Sequence, residues 1–289
     1  MIFARRRLEP TRRRALGSRN VELIIGIGMC LALTLMVVFA PLLSAHEPDV
    51  NVLENRLQPL GTAGHWLGTD HIGRDIWSRL LAGLVWSSSA AVSATLISLT
   101  IGAILGLSAA GIDGWPRTTI RWFTDTVIAF PGLIVAVCVI AIIGQGWLPM
   151  VLTLGFLGWP VFARVTYAEA LSLMQRSYVT NARLQGVSRR SILGGHLLPG
   201  ILPTLLAMTA FNCADMLIAE SALSFLGIGA PLGAPTWGNM LAEARQYLLR
   251  EPWLVFAPGI AIVIVVVAAN LLGDGLTQRS RQKGPAPLL

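Results

Sequence analysis

One lysine, three cysteines and three tyrosines are all that 289 residues provide, and only 13% of the chain is charged. A phosphate-binding GxxxxGK[ST] loop needs its lysine, and Lys283 is followed by Gly284 and Pro285. The chain therefore cannot itself be a P-loop ATPase. Cys30, Cys138 and Cys213 stand far apart, each inside a different apolar run, with no CxxC or Cys/His spacing. Neither a disulfide framework nor a zinc site is indicated, and they read as buried free thiols acting as small apolar residues. Soluble domains carry roughly 25% charged residues, so the material for a solvated surface is missing.

What is present is apolar: 54% of the chain is hydrophobic. Runs long enough to cross about 30 Å of hydrocarbon are predicted at Val21 to Leu43, Leu84 to Ile112, Trp122 to Gly144, Trp147 to Val165, Gly200 to Leu223 and Trp253 to Leu272. The first is too long for a signal-peptide core of about 7 to 15 residues and is expected to stay as an anchor. These six spans divide the chain into a basic tail (1–20), a first span (21–43), an outer loop (44–83), a core (84–275) with an inner loop at 178–195, and a second tail (276–289). Placing the N-terminus in the cytoplasm leaves outside only Arg56, Arg74, Arg79, Arg245 and Arg250 of the 22 basic residues. The positive-inside bias then puts both termini in the cytoplasm. Basic residues confined to loops and tails fit a lipid-embedded protein and give no reason to invoke nucleic acid.

Ser98, Gly102, Gly106 and Ala110 recur every four residues and predict close packing of the second span. The outer loop holds His65-Trp66-Leu67-Gly68-Thr69-Asp70-His71-Ile72-Gly73-Arg74-Asp75 and then Ser78-Arg79, whose charges can pair along a helix start, so a shaped cap is expected. Between the fourth and fifth spans, Val179, Ala182, Leu184, Val187 and Ile192 leave a broken apolar stripe. Gly186 and Ser188 there invite a helix break and a new N-cap. A short helix lying across the membrane face is predicted.

The spacing Ala182-Arg183-x-x-Gly186-x-Ser188, with Ile192, His196 and Leu198-Pro199 after it, resembles the cytoplasmic EAA loop of ABC importer permeases of the dipeptide, oligopeptide and nickel branch. The outer segment His65 to Arg79 resembles the N-terminal signature of that branch's second permease subunit. Its C-terminal half is matched by Glu220 to Gly229, Pro235-Thr236-Trp237-Gly238-Asn239-Met240 and Asn270 to Gly275. The glutamate that names the EAA loop is Thr180 here and its first alanine is Asn181, so docking has to rest on the remainder of the loop.

The resemblance implies an all-α, six-span type I ABC importer permease in the cell inner membrane, with no catalytic residue, cofactor or metal of its own. Its partners would be a homologous second permease, two ATPases that bind ATP and Mg, and an extracytoplasmic substrate-binding protein. Ala182, Arg183, Gly186, Val187, Ser188, Arg189 and Arg190 would couple to an ATPase. Closure of the ATPases would move the short inner helices and rock the two bundles. The expected solute is a di- or oligopeptide, with nickel or a metal chelate as the alternative.

An ionised group inside a span costs several kcal/mol unless it faces protein or water, which makes Asp215 and Glu220, with Asn212 one turn before Asp215, candidates to line the solute path. Asp125 and Asp274, near inner span ends, read as helix-end or inter-subunit contacts. His46, His65 and His71 share the outer loop, but their spacing matches no standard metal site. An intramembrane protease lacks its motif here. A proton-coupled secondary transporter is the rival from another class, expected to work after ATP depletion and to stop with a protonophore.

Overall fold

The computed structural model describes residues 10–283 and the side chains of residues 21–280. Arg5, Arg6 and Arg7 of the basic tail, the side chains of Arg12, Arg13, Arg14, Arg19, Arg281 and Lys283, and residues 284–289 lie outside the described part. The α-helices in chain order are α1 (Pro10–Leu43), α2 (Ile76–Gly111), α3 (Trp115–Ala129), α4 (Gly132–Ile143), α5 (Trp147–Met174), α6 (Ser177–Leu184), the single turn α7 (Arg189–Ser191), α8 (Leu198–Phe225), α9 (Trp237–Ala244) and α10 (Trp253–Lys283).

Among the described residues five stretches are long and apolar enough to cross a membrane, Val21–Leu43, Ile76–Gly111, Trp147–Met174, Arg189–Phe225 and Trp253–Ser280, and a bent helix pair makes a sixth when counted as one span. The run predicted at Trp122 to Gly144 is not one helix but α3 and α4, bent 88° apart. Pro131 has no N–H to give and clashes with a helical residue before it, so Phe130 is driven to φ −89°, ψ 137° and the helix stops. Hydropathy sums straight across that break. The outer loop also ends earlier than residue 83, because the Asp75 carboxylate caps α2 by accepting from the Ser78 N–H at 2.8 Å.

The bundle is centred on α2, which packs along α5 and α8; α10 lies against α8, and α1 against α10. The predicted small-residue stripe is the α2–α5 seam. A Cβ on Gly102 would stand 2.6 Å from the Trp159 carbonyl oxygen and one on Gly106 2.6 Å from that of Ala163, while Ser98 Oγ donates to the Gly155 carbonyl at 2.9 Å. Backbones this close exchange dispersion contacts that larger side chains would prevent. The three cysteines are free, as expected, but Cys138 is exposed on α4 rather than buried.

Two ends of the bundle are defined by bonds. Arg189 to Asp113 places the α5–α8 connection beside the α2–α3 turn, and Gln278 Nε2 donates to Glu22 Oε2 at 2.6 Å, joining α10 to the start of α1. At the other end the outer segment meets α9 through Arg74 and Glu243.

Candidate functional site

The connection between α5 and α8 folds as two short helices set at a corner. Gly186 occupies φ +78°, the left-handed region that a side chain resists, and Ser188 then caps α7 by accepting from the Ser191 N–H at 3.3 Å. One face of the corner is anchored: Val179, Ile192 and Leu197 are buried with Phe162, Ala170, Ile201 and Leu205 of α5 and α8. Ala182 belongs to that buried face at 8% exposure. Val187 is half-buried beside it.

The other face projects. Tyr178, Arg183, Leu184, Gly186 and Arg190 are exposed, and nothing lies within 4 Å of where a Gly186 Cβ would sit. Leu184, at 81% exposure, departs from the apolar stripe suggested by the sequence: two residues past Ala182 on α6, about 200° around the helix, it points away from the buried face and makes an apolar tip. Arg189, also exposed, ties the corner to the α2–α3 turn: its Nη2 donates to Asp113 Oδ2 at 2.8 Å while Arg117 Nη2 donates to Oδ1 at 2.5 Å. The bond from Arg189, followed by the charge of Arg117, keeps the Asp113 carboxyl below its ordinary range. Beyond α7 the chain passes through a π-helical stretch, Ile192–Leu197, before α8 begins.

At the opposite end the signature segment forms the shaped cap that was expected. Asp70 is its hub. Oδ1 accepts from the N–H groups of Ile72 (2.9 Å) and Arg74 (3.0 Å), and Oδ2 accepts from Arg74 Nε (2.6 Å) and Arg79 Nη1 (3.1 Å). Arg74 Nη2 donates on to Glu243 Oε2 at 2.5 Å, and Arg79 is 1% exposed. Gly73 turns at φ +84° where the Val52 backbone passes too close for any side chain. The C-terminal block closes on the same place: Thr236 caps α9, Trp237 Nε1 donates to the Leu80 carbonyl at 3.1 Å, and Asn239 Nδ2 donates to the carbonyls of Pro231 and Ala234.

The polar residues within the spans separate. Asp215 is exposed on α8, and among the described residues its side chain has no hydrogen bond or ion pair. Asn212 is half-buried, its Oδ1 covered and without a partner. Glu220 is 0% exposed, its two oxygens accepting from Ser224 Oγ at 3.0 Å and Ser221 Oγ at 3.2 Å. Within this chain Glu220 is an internal anchor of α8, bonded to the serines one and four residues on. Asp125, by contrast, is exposed and accepts from Arg164 Nη2 at 2.7 Å beside a cavity of about 240 Å³ between α2, α3 and α5.

A capped outer segment, a bundle of apolar helices and a projecting corner between α5 and α8 thus make up the described chain. Residues 98–283 match the family model described as the binding-protein-dependent transport system inner membrane component. The chain belongs to this family. It is a multi-pass inner membrane permease, the non-catalytic membrane subunit of an ABC transporter.

Similar proteins span nearly its whole length. The glutathione transport system permease protein GsiD of Pectobacterium atrosepticum is 36% identical over 253 residues, 87% of this permease and 84% of that protein. The dipeptide transport system permease protein DppC of Alkalihalophilus pseudofirmus is 32% identical over 258 residues, 89% and 84% of the two chains. A putative peptide transport system permease protein of Brucella suis is 36% identical over 269 residues, 92% and 88%. These matches agree with the second permease of the peptide branch.

Proposed function

We propose that this permease forms half of the translocation path of an ATP-driven importer of di- or oligopeptides, paired with a related second permease. Two ATPase subunits carrying ATP and Mg would grip the α6–α7 corner, and an extracytoplasmic binding protein would deliver solute at the cap. Both termini then face the cytoplasm with the corner, as the distribution of basic residues favours. The observation that carries the reading is the two-sided corner. One side is sealed into α5 and α8, so a push on it reaches both spans, while the other offers Leu184, Gly186, Arg183 and Arg190 to a groove.

The remaining polar side chains fit this division of work. Asp215, exposed at mid-helix, belongs against water or protein rather than lipid, and is assigned to the path with Asn212 beside it. Ser188 and Val187 set the shape of the corner. Peptide as the solute rests on the similar permeases, which are named for glutathione, dipeptide and peptide transport systems.

Gly186→Trp tests the coupling assignment. A side chain there meets no atom of this chain within 4 Å but is strained at φ +78°, so Gly186→Asn, which tolerates that region, is the control: the tryptophan variant is expected to insert at the yield of the asparagine variant, yet alone to lose ATP-dependent peptide uptake. Unchanged uptake, or uptake that persists without ATPase subunits, removes the assignment.

A further inference from the structure

The fold brings together two histidines that the sequence separates. His46 lies just after α1 and His65 in the cap, yet their rings stack at 4.6 Å between centroids, and Asp75 adds a carboxylate whose Oδ1 is 2.9 Å from His65 Nδ1. One ring nitrogen of each histidine and one oxygen of Asp75 lie within 4.8 Å of one another. The geometry points to a binding site for a divalent transition-metal ion, of the zinc, cobalt or nickel class, formed by His46, His65 and Asp75 at the outer face.

The site is held from three directions. Trp77 Nε1 donates to the Leu43 carbonyl at 3.1 Å and the His46 N–H donates to Ser78 Oγ at 3.3 Å, so the segment after α1 is tied to the first turn of α2. Ser44 Oγ donates to the His46 carbonyl at 2.6 Å and fixes the local turn. Asp75 is fixed as the cap of α2, and His65 by the turn in which its N–H donates to the Thr62 carbonyl at 2.8 Å. Among the described residues the His46 ring makes no hydrogen bond, so its nitrogens are available.

Two imidazoles and one carboxylate suit borderline metals rather than Mg²⁺ or Ca²⁺, which prefer all-oxygen shells. With metal–nitrogen bonds of about 2.0 Å in a tetrahedral shell, neighbouring ligand atoms stand about 3.3 Å apart. Rotation of the exposed His46 ring supplies the closure needed, and water completes the shell. A bound ion would clip the end of α1 to the cap and to α2 across a loop that otherwise depends on single hydrogen bonds.

The test uses the full chain purified in detergent through a tag without histidine, stripped with EDTA, and titrated with Co²⁺. Visible ligand-field bands saturating at one ion per chain, and lost on adding Zn²⁺, are expected. His46→Ala, at an exposed position, should keep its elution profile and lose more than about tenfold in affinity, the scale on which even outer-sphere partners of a metal ligand act. His65→Gln should do the same. His71→Ala, which removes a member of a separate cluster with Asp70 and Glu243, should leave the titration unchanged. Absence of the bands, their persistence in His46→Ala, or their loss in His71→Ala overturns the site.

Discussion

Asp70→Asn asks how much of the outer cap hangs on one carboxylate. The asparagine side-chain oxygen can still accept from the Ile72 and Arg74 N–H groups, but an amide replaces the oxygen that receives Arg74 Nε at 2.6 Å and Arg79 Nη1 at 3.1 Å. Two guanidiniums and two carboxylates become two guanidiniums and one, with Arg79 1% exposed and its remaining contact a Glu243 oxygen at 3.4 Å. Removing one partner from a buried ion pair costs about 3–5 kcal/mol. At 1.36 kcal/mol per decade, opening of the cap becomes about two to nearly four decades more frequent. Hydrogen exchange reads this at the amides of Thr69, Asp70 and Ile76, each bonded across the cap. Peptides from α5 and α8 should keep their protection. If the cap amides change by less than about threefold, a local energy far below the buried-pair range would be left, and the hub role of Asp70 would be wrong.

Asp113→Asn cuts the tie between the corner and the α2–α3 turn and should reduce uptake per ATP hydrolysed while leaving membrane insertion intact. Because the Asp113 carboxyl sits below its ordinary value of 3.8, the tie is fully formed above that value and is lost only as pH falls through the lowered one, so the defect should be equal throughout the neutral range. Gly106→Leu drives a side chain into the Ala163 carbonyl and Thr166, an overpacking of about 1–3 kcal/mol that should lower the thermal stability of the purified chain. Asp215→Leu should abolish peptide uptake without changing yield or exchange, whereas Glu220→Leu, which strands Ser221 and Ser224, should lower yield first.

The helices were legible because a membrane imposes one rule, that backbone polar groups be satisfied within apolar segments, and the periodic small residues of α2 needed no partner sequence to be interpreted. The corner at Gly186 and Ser188 was legible for the same local reason: a left-handed turn and a cap are written in two residue types. What failed was direction around a helix. Leu184 points outward because it stands about 200° around α6 from the buried Ala182, and Glu220 faces inward, where Ser221 and Ser224 bond it, a pattern also compatible with an exposed polar strip. The α3–α4 break was missed by averaging over Phe130-Pro131. The meeting of His46 with His65 depends on how the end of α1 docks on α2, which no local spacing encodes.

The seam between α2 and α5 has a mechanical consequence. With carbonyl oxygens standing where a methyl group would otherwise be, neither helix can slip past the other without collision, so the two behave as a single beam. Deformation in the proposed transport cycle would then fall where regular geometry already lapses, at the widened π-helical stretch leading into α8 and the elbow at Pro131. A lever driven from the corner would swing the beam whole and flex only at these two joints.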